Sequence, residues 1–550
     1  MSTLKRWLLV NYAGHPFAPN SLMPDNGLAN LASALLQSGC EVEILDYCTL
    51  ETLRQCSSEE LRCGLTNAWT SLRHGSGSFW SKLTQLSALA HLHRYDATRR
   101  RLQQQAVARI SARILDRIHQ RGIEAVGFKL WNGDGLVGTV QIAAHIRKHA
   151  PDVKIFGGGP HVDIFMEHLL SHYEEFDAMI YGEGEAAIQP LVQHGQLSNE
   201  YDQIPNLLYR QHKRVIKTPE KIITDLDELP MPVYDADVYP AMKGDEKIKI
   251  IVVDESRGCR NNCAFCPHPI KSSHRQRVKS IPRLMQEIDR FGKDLNIHTF
   301  RFAGSCTPYP LLNQFAAEVI KTQRQLTYSS FAHIRHSADA DFASMRRSGC
   351  VSLFFGIESG NQAVLDKMRK GTRVDEIPVT LRRAKEAGIF TVGSIIYPAP
   401  GDTIATGQET LQLMLREKPD AMTIQAPVVT PRTDWFESPA QYGITIHNRN
   451  QYLIAAMTWK LSLLLPPAFW GPLPLLIDGK NYRQVLKATS QFMKQVRSHG
   501  LVTSISDDTY LMSQRLGMNP IDFRDQTGLA FFAGDTGKIA TLIESINARV

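Results

Sequence analysis

No disulfide framework is legible in this chain. Its nine cysteines, Cys40, Cys48, Cys56, Cys63, Cys259, Cys263, Cys266, Cys306 and Cys350, are an odd set at irregular spacing along 550 residues. Small secreted scaffolds are instead cysteine-dense and even-numbered. No unbroken apolar run is long enough to span a bilayer. The nearest, residues 455–477, is interrupted by Lys460, Pro466, Pro467, Pro472 and Pro474, a density of proline that a spanning helix does not carry. It reads as a helix ending near Leu465 and then an apolar loop packed on the core. The opening residues are too short in apolar character for a secretion signal, which makes a reducing cytoplasm the expected location. No charged block stands out either, since 62 basic and 55 acidic residues leave a net charge of +7. The densest basic run, Arg99-Arg100-Arg101, reads as a solvated helix face, so no nucleic-acid partner is expected. The run Gly157-Gly158-Gly159 does not match G-x-G-x-x-G followed by the acidic residue of a dinucleotide site, which disfavours such a site. What is present, 43% hydrophobic and 21% charged residues, describes a globular chain of about three or four domains by length.

Strand-length apolar runs alternate with helical periodicity, which predicts a parallel α/β architecture. Residues 1–195 form a first sheet domain, interrupted at 50–120 by a helical insertion. There Val107, Ile110, Ile114 and Ile118 share one helix face. Proline-punctuated residues 196–245 read as an extended connector. The strand–helix rhythm returns over 246–435, and 436–550 read as mainly helical.

Two sets of residues carry chemistry. Cys259, Cys263 and Cys266 are spaced C-x3-C-x2-C. Three thiolates can hold three irons of a [4Fe–4S] cube, whose ordinary shell has four cysteines, so a triplet leaves one iron open to a small molecule. Zinc sites usually show two C-x2-C pairs or a Cys/His set; no second pair follows here, although His268 and His274 lie close. Second, Gly157-Gly158-Gly159-Pro160-His161 and Gly182-Glu183-Gly184-Glu185 fall after expected strands, at the carboxyl ends where open α/β sheets bind ligands.

The cysteine triplet, with Phe265 before its last member, resembles the signature of the radical S-adenosylmethionine (SAM) superfamily. The resemblance implies a partial TIM-type (β/α)6 barrel over 246–435 and a [4Fe–4S] cluster on Cys259, Cys263 and Cys266. SAM would chelate the open iron and be cleaved to a 5′-deoxyadenosyl radical by one electron from an external donor such as flavodoxin or ferredoxin. Carried over residue by residue, Phe265 packs near adenine, Gly304 and Ser305 hold the SAM amino group, and Glu358 and Ser359 contact ribose and carboxylate. Arg335 pairs with the carboxylate through its bidentate fork. By side-chain chemistry alone, Glu358 and Arg335 can equally pair with each other. Cys306 and Cys350 read as small buried hydrophobes.

The glycine turns ahead of that triplet resemble the cobalamin-binding domain of cobalamin-dependent radical SAM enzymes. That likeness implies a Rossmann-like, flavodoxin-like sheet with cobalamin held between it and the barrel. Loops 11–16 (Asn11, Tyr12), 129–135 (Lys129, Leu130), 157–161 (Gly157, Gly158, Gly159, Pro160, His161) and 181–185 (Gly182, Glu183) would line the site. One departure matters. Where many such domains carry Asp-x-His-x-x-Gly after the first strand, this chain has Asn11-Tyr12-Ala13-Gly14-His15-Pro16. Cobalt is therefore expected to lack a histidine ligand from that loop, with His15 a surface or turn residue. The resemblance implies a methyltransferase acting on an unactivated carbon or a phosphinate phosphorus of a small, natural-product or lipid-like substrate. The same two domains also serve cyclases and rearrangement enzymes that transfer no methyl group. From another class stands a non-catalytic cobalamin and iron–sulfur sensor.

Overall fold

The structure, a computed structural model, describes residues 3–73, 79–212, 214–459 and 471–549. Seven strands build the first sheet: β1 (Arg6–Asn11), β2 (Glu41–Asp46), β3 (Ala125–Lys129), β4 (Lys154–Gly158), β5 (Ala178–Ile180), β6 (Leu207–Gln211) and β7 (Arg214–Lys217). Their spatial order is β2-β1-β3-β4-β5-β6-β7, the first five parallel and the last two antiparallel. The 2-1-3-4-5 order is flavodoxin-like, with its switch point between β1 and β3. Both faces of the central strands are buried, which explains the continuous apolar runs. Leu9 packs under the helix Asn26–Gln37, and Leu8 and Val10 pack under the insertion. That insertion is three helices, Leu50–Gln55, Glu59–Arg73 and the long Phe79–Arg121, with Val107, Ile110, Ile114 and Ile118 all buried.

The connector differs from its expectation. The hairpin β6–β7 adds two strands to the sheet edge, because Leu207, Leu208 and Tyr209 are buried; the longest stretch without helix or strand is 218–239. The flanking prolines masked this short strand pair. Arg99 also departs from the solvated face read for it. It is buried at 4% exposure, pairs with Asp96 and lies over the Phe17 ring, while Arg100 and Arg101 are exposed.

A second sheet has six parallel strands in the order β8 (Ile251–Val253), β11 (Thr299–Phe302), β12 (Thr327–Ala332), β13 (Cys350–Glu358), β14 (Phe390–Ile396) and β15 (Ala421–Gln425). Between β8 and β11, the short antiparallel pair β9 (Ser256–Arg257) and β10 (Arg277–Val278) clamps the base of the cysteine loop. Among the described residues the carboxyl-terminal region is mainly helical, with a small antiparallel sheet of β16 (Ile444–Thr445), β17 (Leu476–Ile477) and β18 (Lys480–Asn481). Its helix Asp507–Leu516 packs on β12, β13 and β14. Asp507 is fully buried and receives two Arg301 bonds, at 2.9 and 3.2 Å, and one from Ser329 at 2.9 Å. Arg515 reaches Thr327, the first residue of β12, at 3.2 Å, so this helix closes the amino-terminal end of the barrel and leaves the carboxyl end open. The helix expected to end near Leu465 stops at Met457; Leu465 lies outside the described residues. Among the described residues no helix is long and apolar enough to cross a membrane.

Candidate functional site

A cavity of about 350 Å³ lies between the two sheets. One wall is Lys129, Gly157, Gly158, Gly159, Pro160, Gly182 and Glu183, with Asn26, Leu28 and Leu31 from the first helix. The other belongs to the barrel: Asp254, Arg257, Gly258, His268, Lys271, Ser272 and Ser305. The glycine wall is shaped by the absence of side chains. Gly159 has φ +94°, and a Cβ there would sit 3.1 Å from Lys129 Cγ. Gly158 is the looser case, since such a Cβ would meet only Ile180, in ordinary contact 3.6 Å from its carbonyl oxygen. A flat, broad cofactor needs such a bare surface to approach the backbone, so the wall fits a corrinoid.

Not every expected residue reaches this wall. The 11–16 loop does not line the cavity. Asn11 Oδ1 accepts a bond from Trp131 Nε1 at 2.8 Å and its Nδ2 donates to Asp46 at 3.0 Å. Tyr12 is buried, its hydroxyl accepting from Gln103 at 3.3 Å, and burial pushes its acidity well down. Leu130 is core packing against Gly157. His161 is also internal, a ring nitrogen 3.1 Å from Met457 O, and burial lowers its pKa to about 4. His15 is not at the surface: it is 6% exposed, edge-on to Phe17 at 4.8 Å, with burial and the Arg99 charge lowering its pKa to about 3. Gly14, with φ +83°, turns the chain inward there, which the local polar sequence did not reveal.

Charged side chains join the walls. Lys129 pairs with Asp25, the residue that caps the first helix. Arg257 Nη2 lies 2.7 Å from both Glu185 and Asp254, and Arg277 lies 2.7 Å from Glu183. Asn26 and Asn30 donate to the two oxygens of Asp254, each at 3.0 Å. Burial alone would raise the pKa of Asp254; Arg257 and Lys279 outweigh it and hold the carboxyl below its usual range. Glu183 also accepts from Ile223 N–H at 2.8 Å, so it braces the wall. The cross-domain role of Arg257 and Arg277 was invisible to sequence reading, because Glu185 and Glu183 follow β5 in the other domain, far away in sequence.

At the carboxyl end of the barrel, the cysteine loop is anchored from two sides. Ala264 N–H donates to Met368 O at 2.9 Å, and Trp435 N–H donates to Ala264 O at 3.1 Å. Cys259 is buried, Cys263 and Cys266 are partly exposed, and none of the three is in a disulfide. Asn261 Nδ2 lies 3.4 Å from Cys259 Sγ. Without a metal, burial raises the thiol pKa of Cys263 and pushes Cys266 up to about 12, as expected for thiols whose charged form needs a cationic partner. Among the described residues no three His, Cys, Asp or Glu side chains gather as around a single metal ion. The donor set, three unpaired thiols on one clamped loop, fits three irons of a cube. Cys306 departs from a plain core residue: it is partly exposed and near Cys259, with burial and that neighbour raising its pKa to about 12. Cys350 is buried as expected.

The remaining expected residues divide. Phe265 lies 5.5 Å from the Trp435 ring, tilted, and 6.0 Å from Lys370 Nζ. Ser305 Oγ is 3.0 Å from His268 Nδ1 at the cavity edge. The Gly304 N–H is already given to buried Glu255 at 3.1 Å. Glu358 ends β13 with φ +67° and pairs with Lys370 at 2.9 Å, not with Arg335. Ser359 is buried, accepting from Asn361 N–H at 3.2 Å. Arg335 is exposed and lines a separate cavity of about 90 Å³ with Arg260, Cys306 and His333. Lys370 was missed, since Arg369-Lys370-Gly371 reads as an ordinary exposed turn.

Family comparison agrees with this two-part site. Residues 83–192 match the B12 binding domain and residues 256–414 the Radical SAM superfamily. Over 334 residues the chain is 25% identical to an uncharacterized methyltransferase of Pyrococcus horikoshii, covering 60% of this chain and 70% of that protein. It is 23% identical to the anaerobic magnesium-protoporphyrin IX monomethyl ester cyclase of Synechocystis, covering 56% of this chain and 61% of the cyclase. In fold it is similar to the radical SAM methyltransferase TsrM of Kitasatospora setae, solved with cobalamin and a [4Fe–4S] cluster. That match has a TM-score of 0.62 at 14% identity, over 98% of this chain and 100% of the other.

Proposed function

We propose that this chain, a Radical SAM superfamily core joined to a B12-binding domain, is a cobalamin-dependent methyltransferase of an unactivated carbon or phosphinate phosphorus in a small molecule. One observation carries the reading: the glycine wall and the barrel mouth line a single cavity. When bound, the cluster with SAM supplies a carbon-centred radical and cobalamin carries the methyl group. Cys259, Cys263 and Cys266 hold three irons. Lys129, Gly157, Gly158, Gly159, Pro160 and Gly182 form the floor for the corrinoid. Phe265, Ser305, Glu358 and Ser359 orient SAM at the barrel mouth. The pairs Arg257–Glu185 and Arg277–Glu183 fix the separation of the two walls, on which group transfer between two cofactors depends. Apolar lining from Leu9, Phe156 and Ile180 excludes water from reactive species. The electron comes from a flavodoxin or ferredoxin in a reducing cytoplasm.

Likeness to the Pyrococcus methyltransferase favours methyl transfer, and likeness to the cyclase favours a second reading without it. Turnover of the anaerobically purified chain with methyl-labelled SAM separates them. S-adenosylhomocysteine and 5′-deoxyadenosine formed together, with label in the product, support methyl transfer. Product formed with 5′-deoxyadenosine and no S-adenosylhomocysteine rejects it in favour of the cyclase-type reading.

A further inference from the structure

We propose that Lys370 is a positioning residue whose fixed positive charge sets the reduction potential of the cluster held by Cys259, Cys263 and Cys266, with Glu358 as the counter-charge that fixes it in place. The inference rests on the cluster reading above and adds a residue to it. Lys370 is 7% exposed and its ammonium lies 2.9 Å from Glu358 Oε1. Its turn is bonded to the cysteine loop, because Met368, two residues before it, accepts the Ala264 N–H at 2.9 Å. The strand gives way to the pair: a Cβ on Gly356 would sit 2.6 Å from both Lys370 Nζ and Glu358 Oε1. Phe265, next to Cys266, is 6.0 Å from the ammonium, and thiolates at Cys263 and Cys266 would favour its charged form.

Burying an ion pair contributes little net stability, and often less than an apolar pair of equal volume. Its value here lies in the charge beside the thiolates. An ammonium has three donors, and its bond to Glu358 uses one of them. When a low-potential donor passes one electron to [4Fe–4S]2+, giving [4Fe–4S]+, the site gains one negative charge. A buried cation stabilises that state more than the oxidised one, and does so in a medium that screens poorly. Removing the cation must therefore move the potential to more negative values. Arg260, beside Cys259 in sequence, is exposed, so water and salt screen its effect.

An EPR-monitored redox titration of the reconstituted full chain, without SAM, tests this together with iron and sulfide content. Lys370→Met is expected to retain its iron and to shift the midpoint negative, Lys370→Arg to stay near the unmodified value, and Arg260→Gln to shift less than Lys370→Met. A Lys370→Met chain with full iron content and an unmoved midpoint overturns the proposal. If that variant loads no iron, Glu358→Gln decides: loss of the counter-charge should move the midpoint positive, and an unmoved midpoint overturns the proposal. Absence of a cluster from the unmodified chain would remove the functional reading itself, and the inference with it.

Discussion

The two ends of the barrel each bury an ion pair, and the pairs are built differently. At the amino end, Asp507 takes two bonds from Arg301 and one from Ser329, and a helix covers it. At the carboxyl end, Glu358 stands in left-handed backbone geometry and shares one bond with Lys370, beside a loop of unpaired thiols. A saturated pair holds a fold together, while a sparsely bonded one in strained backbone retains donors for a ligand. The contrast separates stability from function within one barrel.

Breaking each end in turn should give different losses. The largest effect belongs to the carboxyl end: Cys259→Ala, Cys263→Ala or Cys266→Ala should each abolish SAM cleavage and deplete cluster iron, whereas Cys350→Ala should keep iron near the unmodified level. A normal iron content in any of the three would refute the ligand set. At the amino end, Asp507→Ala leaves the partly buried Arg301 without its carboxylate partner, at a cost below the about 3–5 kcal/mol of breaking a fully buried pair. Thermal denaturation should register that cost while iron content below the melting range stays unchanged. Coincident loss of iron at low temperature would show that the two ends are not separable.

The glycine wall offers a finer contrast between cofactors. Gly158→Phe adds a ring to the lining of the cavity at a position whose Cβ is tolerated, 3.6 Å from Ile180 O, so bound cobalamin should fall by at least about tenfold while the cluster persists; for a tenfold change the energy is about 1.4 kcal/mol. Equal loss of both cofactors would indicate misfolding. The smallest effect is expected from His15→Ala, which should leave the cobalt spectrum unchanged, because His15 sits outside the cavity lining. An altered spectrum would restore it as a ligand.

Much of this was legible in local pattern. The cysteine triplet is a short-range spacing, and buried strands such as Trp7 to Val10 announce themselves as apolar runs. The helix face of Val107, Ile110, Ile114 and Ile118 was legible for the same reason. What stayed hidden depends on partners distant in sequence. His15 and Arg99 look like surface residues until the helices close over them. The hairpin β6–β7 hid among prolines, and Lys370 looked like a turn lysine until the bond from Ala264 to Met368 placed it. Expecting the 11–16 loop at the cavity failed because Trp131 and Asp46 occupy Asn11; helix residues Asn26, Leu28 and Leu31 stand there instead.

The rung between β9 and β10 pairs Arg257 with Arg277, one at each end of the segment that carries all three cluster cysteines. A flexible segment loses chain entropy when its ends are drawn together. Here that loss belongs to the folding of the protein, before any iron arrives. The chelate is therefore partly assembled in the metal-free chain, and iron and sulfide added to folded protein should find the thiols already enclosed within one small ring.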